Sequence, residues 1–140
     1  MGKESFHHNY RAFIALFKVC AKRKDLQQGI KLHAEIPKQV ILENNPYLVS
    51  ALINMYAKCG AFSKAKQVLE DLPTRNSVTW NALISGYAQQ GHGQKALDCF
   101  GKMQLEGISP DAFTFTSILK ACGSIVAIEE GQTIHNEIVG

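Results

Sequence analysis

Several features are scarce in this 140-residue chain, and each scarcity removes a class of protein. The longest apolar runs are only a few residues, as in Ala12 to Phe17, far short of the roughly 20 that a membrane-spanning helix needs. The first ten residues lack the apolar stretch of a secretory signal, and they are too short and too poor in arginine for an organellar transit peptide. Either a targeting segment has been removed or the sequence is an excised piece. Cys20, Cys59, Cys99 and Cys122 stand far apart with no CxxC pair, which argues against a zinc ribbon and a disulfide framework and fits a reducing compartment. Charge of one sign is also lacking. Fifteen Lys and Arg against twelve Asp and Glu give +3, too little by itself to mark a nucleic-acid binder. With 46% hydrophobic and 19% charged residues, the composition is that of one folded, soluble domain.

What the chain does have is internal repetition. Ala51 to Ala65 (ALINMYAKCGAFSKA) and Ala82 to Ala96 (ALISGYAQQGHGQKA) match in register 31 places apart. Phe13, Lys18, Cys20, Gly29, His33, Glu35 and Ile36 recur 102 places on as Phe115, Lys120, Cys122, Gly131, His135, Glu137 and Ile138. These matches divide the chain into an N-terminal extension, 1–9, and four units, 10–45, 46–76, 77–111 and a shorter 112–140. Apolar residues at helical spacing run through each half of a unit, as Leu83, Ile84 and Tyr87 and then Ala96, Cys99, Phe100 and Met103. Gly60 and Gly91 mark the turn between the halves. Small residues (Gly29, Ala65, Ala96, Gly131) recur where two helix backbones must approach. The expected fold is all-α, a right-handed α-solenoid of helix-turn-helix repeats, with eight helices in four antiparallel pairs.

In such a stack the first helices line the concave side. Positions 2, 5, 9 and 13 of each unit share one helical face. They are Arg11, Ile14, Lys18, Lys22; Tyr47, Ser50, Asn54, Lys58; Val78, Asn81, Ser85, Gln89; and Phe113, Thr116, Lys120, Ser124. Five of these sixteen are basic and none is acidic, whereas Glu70, Asp71, Asp98, Glu129 and Glu130 fall on second helices and turns. A basic, hydrogen-bonding groove of this kind suits a phosphate backbone.

Residues 77–111, SVTWNALISGYAQQGHGQKALDCFGKMQLEGISPD, resemble the standard pentatricopeptide repeat along their whole length. Residues 46–76 resemble the short variant, and 10–45 and 112–140 the long one. That order is similar to the plant subclass associated with C-to-U RNA editing. The resemblance implies single-stranded RNA as partner, one nucleotide per repeat, with editing or RNA-processing proteins supplied in trans. It also implies a mitochondrial or chloroplast location. No cofactor, catalysis, metal or membrane partner is expected, and the protein should be a monomer. By the same resemblance the fifth and last residues of a repeat read the base. Ser50 with Asn76 would favour A, and Asn81 with Asp111 would favour U, then C. Ile14 with Asn45 departs from the readable pattern, and Thr116 lacks its companion. Arg11, Tyr47, Val78 and Phe113 would pack against bases, and Lys18, Lys22, Lys58 and Lys120 would meet phosphates.

Two rival readings fare worse. The triplet HxE, at His33 to Glu35 and His135 to Glu137, opens the zinc-deaminase signature, but the PCxxC half is absent. Both histidines share a repeat position with Leu69 and Phe100, so they are expected to pack in the core. His7, His8 and His92 have no ligand spacing. A tetratricopeptide-like solenoid binding protein is the alternative function. Ile84 and Met103 stand where its tight helix crossing needs Gly and Ala, and its period of 34 matches no unit. Cys20 and Cys122 share a position with Tyr56 and Tyr87 and are expected to pack as small hydrophobes. Cys59 is expected to be partly exposed.

Overall fold

A computed structural model describes residues 2–37, 45–123 and 125, with side chains from Tyr10 onward. Every regular element among these residues is a helix. They are α1 (Gly2–Arg23), α2 (Leu26–Glu35), α3 (Pro46–Lys58), α4 (Phe62–Asp71), α5 (Ser77–Gln89) and α6 (Gly93–Leu105), and α7 over 112–123. The eighth helix expected from the repeats, together with Gly131, His135 and Glu137, lies outside the described residues. Residues 2–9, set apart above as an extension, run without a break into α1.

The helix boundaries follow from local chemistry. Lys24, Gly60 and Gly91 hold positive φ angles of 56°, 80° and 79°, and all three occupy position 15 of their unit. After each, the next amide reaches back five residues: Asp25 N–H to Cys20, Ala61 to Tyr56 and His92 to Tyr87, at 2.8–2.9 Å. That left-handed stop satisfies the last carbonyls of the first helix and reverses the chain. Gly107 (φ 78°) ends α6 the same way, Ile108 N–H bonding Met103. First helices start on side-chain caps: Asn45 Oδ1 accepts from the amides of Tyr47 and Leu48, with Pro46 following where a lost N–H costs nothing.

The chain forms two compact units, Met1–Leu83 and Ile84–Gly140, with α5 passing from one to the other. In the first unit α3 is the centre. It packs on α1, α2 and α4, and so buries eight of its residues, Leu48, Val49, Ala51, Leu52, Ile53, Met55, Tyr56 and Ala57. A helix covered on several sides is apolar nearly all round, whereas α4 needs only the stripe Ala65, Val68 and Leu69. Cys59 Sγ lies 3.9 Å from the Cys20 carbonyl, so the C-terminal ends of α1 and α3 lie together. Gly29 brings α2 against α3 so closely that a Cβ there would sit 2.3 Å from Met55 Sδ. In the second unit Gly93 does the same for α6 and α7: an added Cβ would lie 2.6 Å from the Ala121 carbonyl oxygen. Phe100 and Phe115 meet edge to face across these helices, 6.2 Å between centroids.

Candidate nucleic-acid interface

α1 and α3 pack on each other with their C-terminal ends together. On α1, Arg11, Lys18 and Lys22 are exposed and Ile14 is half-buried. On α3, Tyr47 is 67% exposed, and Ser50, Asn54 and Lys58 are half-buried. Positions 2 to 13 span roughly 16 Å of helix at 1.5 Å per residue. No acid falls in 10–23, 46–58, 77–89 or 112–123, so every first helix after residue 9 is free of negative side chains. The acids of the described second helices, among them Glu70 paired with Lys66 at 3.8 Å, lie elsewhere. In the second unit α7 exposes Phe113, Thr116 and Lys120. Ser124 lies outside the described residues.

Position 2 of a first helix carries exposed aromatics on both units, Tyr47 and Phe113 (55%). Large apolar rings left in water call for an explanation. Val78, at the same position, is half-buried.

The three residues that close a repeat have a structural duty that the repeat pattern does not display. Each caps the following first helix. Asn76 Oδ1 accepts from Thr79 N–H at 3.0 Å, while Thr79 Oγ1 accepts from the Asn76 amide at 3.1 Å. Asp111 and Thr114 repeat the exchange at 2.9 and 3.0 Å, and the Thr114 hydroxyl also donates to Asp111 Oδ1. Asn45 does it with two backbone amides. The signal was present in the sequence as Asn-Pro at 45–46 and as Asn/Asp-x-x-Thr at 76–79 and 111–114, a helix-start pattern. Among the fifth residues, Asn81 is only 6% exposed, and the Thr116 hydroxyl donates to the Ala112 carbonyl at 2.9 Å. Ser85 is likewise buried.

Family models for the pentatricopeptide repeat match residues 47–77 ("PPR repeat") and 75–124 ("PPR repeat family"), together more than half of the chain. This chain belongs to the pentatricopeptide repeat family. It is 37% identical over 139 residues to a pentatricopeptide repeat-containing protein of Arabidopsis thaliana, covering 99% of this chain and 20% of that one. It is 36% identical over 129 residues to one named chloroplastic, covering 91% and 24%. It is 38% identical over 123 residues to one named mitochondrial, covering 88% and 12%. The pentatricopeptide chain thus spans a quarter or less of these relatives. In fold it is similar to the crystal structure of the pentatricopeptide repeat protein PPR10 from maize, with a TM-score of 0.59 at 19% identity, covering 90% of this chain and 18% of that one. The all-α solenoid expected from the repeats is therefore the fold of this pentatricopeptide protein.

The remaining residues singled out from the sequence separate cleanly. His33 is half-buried and its Nδ1 bonds the Tyr56 hydroxyl at 2.5 Å, the rings edge to face. Burial, with Lys64 nearby, holds its pKa below the usual imidazole value. It serves packing between α2 and α3, and no cluster of metal-ligating side chains is found among the described residues. Cys20 is buried, as expected, and burial raises its thiol pKa. Cys59 is half-buried. Cys122 corrects the expectation: it is exposed. Its counterpart Cys20 is enclosed beside α3, where Cys59 Sγ reaches its carbonyl. A cavity of about 430 Å³ beside His33, lined by Ile30, Ile36, Tyr56, Val68 and Leu72, had no signature in the sequence.

Proposed function

We propose that this chain holds single-stranded RNA along its first helices, one nucleotide per repeat. It would be the sequence-recognition part of a mitochondrial or chloroplast RNA-processing or C-to-U editing factor, with any chemistry supplied by other proteins. The observation that carries this reading is the pairing of acid-free first helices with exposed aromatics at position 2, Tyr47 and Phe113. Cations follow a phosphate backbone, and rings stack on bases whatever their identity. The long, short, standard, long order of the repeats supports the editing-associated subclass.

Base reading falls to Ser50 with Asn76 for A and Asn81 with Asp111 for U, then C, so the read core is 5′-A-U-3′. The capping bonds refine that assignment. Because Oδ1 of Asn76 is engaged by the Thr79 amide, its contact with a base runs through the Nδ2 donor. Asn81 is nearly closed over, so binding must uncover its amide. Arg11 and Val78 complete the stacking set, Ile14 with Asn45 and Thr116 contribute weak reading, and Lys18, Lys22, Lys58 and Lys120 meet phosphates.

The test is equilibrium binding of the whole chain to single-stranded RNA across a salt series. Four lysines neutralise at most about four phosphates, so the log-log slope should be no steeper than about −3. Indifference to RNA would instead favour a protein-binding solenoid.

A further inference from the structure

Two thiols meet where the first helices of the first unit end. Cys20 lies in the last turn of α1, and Cys59 caps the C-terminus of α3. Far apart along the chain, they are brought together by the packing of α1 on α3, and the Cys59 thiol donates to the Cys20 backbone carbonyl at 3.9 Å. The two sulfurs are near enough that a charge on Cys20 pushes the Cys59 thiol pKa up, second only to burial. Their exposure differs. Cys20 is 4% exposed, whereas Cys59 is half-buried and so reachable from solvent. Gly60 follows Cys59 at φ 80°, with nothing within 4 Å of where a Cβ would stand, which leaves room on that side for a small shift.

We propose that Cys20 and Cys59 form a modification site, a dithiol that closes to a disulfide and ties α1 to α3 when the chain meets a low-molecular-weight disulfide such as oxidised glutathione. Exposure sets the order of events. The Cys59 thiolate attacks one sulfur of the small disulfide, so that one S–S bond breaks as another forms and a small thiol leaves with the electron pair and a proton. Cys59 then turns between staggered wells from the Cys20 carbonyl toward the Cys20 sulfur. The Cys20 thiolate attacks the Cys59 sulfur and expels the second small thiol. Two protein thiols are oxidised, one small disulfide is reduced to two thiols, and the two protons that the protein loses end on those thiols.

The test uses the whole folded chain carrying Cys122→Ser, which removes the exposed thiol of the second unit. It is treated with oxidised glutathione at about pH 8, where thiolate is available for exchange. It is then alkylated in denaturant, cut with trypsin without reduction and weighed. The peptide Val19–Lys22 should appear joined to Cys59–Lys64, two hydrogens lighter than the separate pieces. Thermal unfolding of the bridged chain should rise by at least about 5 °C and fall back on reduction, since closing so long a loop restricts the unfolded chain. Cys20→Ala should leave glutathione on Cys59, because no second thiol displaces it, and Cys59→Ser should leave Cys20 unmodified. Circular dichroism checks that each variant is folded, and Cys20→Val replaces a Cys20→Ala chain that is not. Glutathione that persists on Cys59 while Cys20 is still alkylated overturns the proposal. So does a bridge from Cys59 to Cys99, a bridge that lowers the unfolding temperature, or a folded chain in which neither thiol reacts.

Discussion

Lys24 holds a backbone conformation that Gly60 and Gly91 hold at the same repeat position, with φ of 56° against 80° and 79°. A side chain in the left-handed region costs about 1 kcal/mol or more, and part of that is returned by the stiffer unfolded chain. Lys24→Gly should therefore raise stability by up to about 1 kcal/mol, seen as a rise of no more than roughly 3 °C in thermal unfolding. The two turn glycines were legible because glycine punctuates a helical pattern. The first turn was not, because lysine gives no such sign and only the backbone reveals the strain. The capping residues make the opposite case. Asn76 and Asp111 look like readers when aligned with a family and like caps when their neighbours are inspected, and both roles bear on the same side chain. Asn76→Ala should cost about 1 kcal/mol of stability without RNA. If Asn76 also reads, the substitution should weaken preference at a single nucleotide in RNA competition. Asn81→Thr, tested within a longer array of known target, should move preference at one nucleotide from U to G. Discrimination of about 1–3 kcal/mol is expected by analogy with direct readout in DNA. A uniform loss for all four bases would place Asn81 in packing alone.

At the scale of the helices, the two close approaches differ in what a methyl group would strike. At Gly29 it meets the end of the Met55 side chain; at Gly93 it meets the Ala121 backbone carbonyl. A side chain turns aside more easily than a helix backbone, and alanine regains up to about 1 kcal/mol of helix propensity at either site. Gly93→Ala should thus destabilise by about 1–3 kcal/mol and clearly more than Gly29→Ala, by chemical denaturation. The sequence pointed to Gly29 as a small residue for close approach but placed its counterpart in the third repeat at Ala96, three residues beyond Gly93, because repeat alignment fixes position and not the local crossing. The contact of His33 with Tyr56 couples α2 to α3 and to pH. Burial lowers the His33 pKa below its unfolded value near 6.5, so the unfolded chain binds the extra proton first as pH falls. Stability is then complete above about pH 6.5 and declines from there down through the depressed folded pKa. Thermal unfolding from pH 7.5 to 5 should show that decline, and His33→Leu, the residue type at the matching Leu69, should flatten it.

For the whole molecule, a net charge of +3 is modest, and what matters is that the first helices keep the acids off one face. Lys58→Ala should weaken binding to every RNA sequence about equally and flatten the salt slope by roughly 0.7. A changed base preference in that variant would mean the anchoring and reading roles are misassigned. The sequence by itself determined the repeat, the all-helical fold, the hairpin turns at Gly60 and Gly91 and the partition of charge, because each is written in spacing and residue type along a single helix. Tertiary structure alone decided which of the chosen residues reach solvent. Asn81 and Ser85 lie on the face that spacing selects and are buried there, while Cys122, Phe115 and Leu119 occupy core positions and are open. Helical periodicity fixes the direction in which a side chain points from its own axis. Whether another helix stands in that direction depends on the next hairpin, and that is a property of the packed chain.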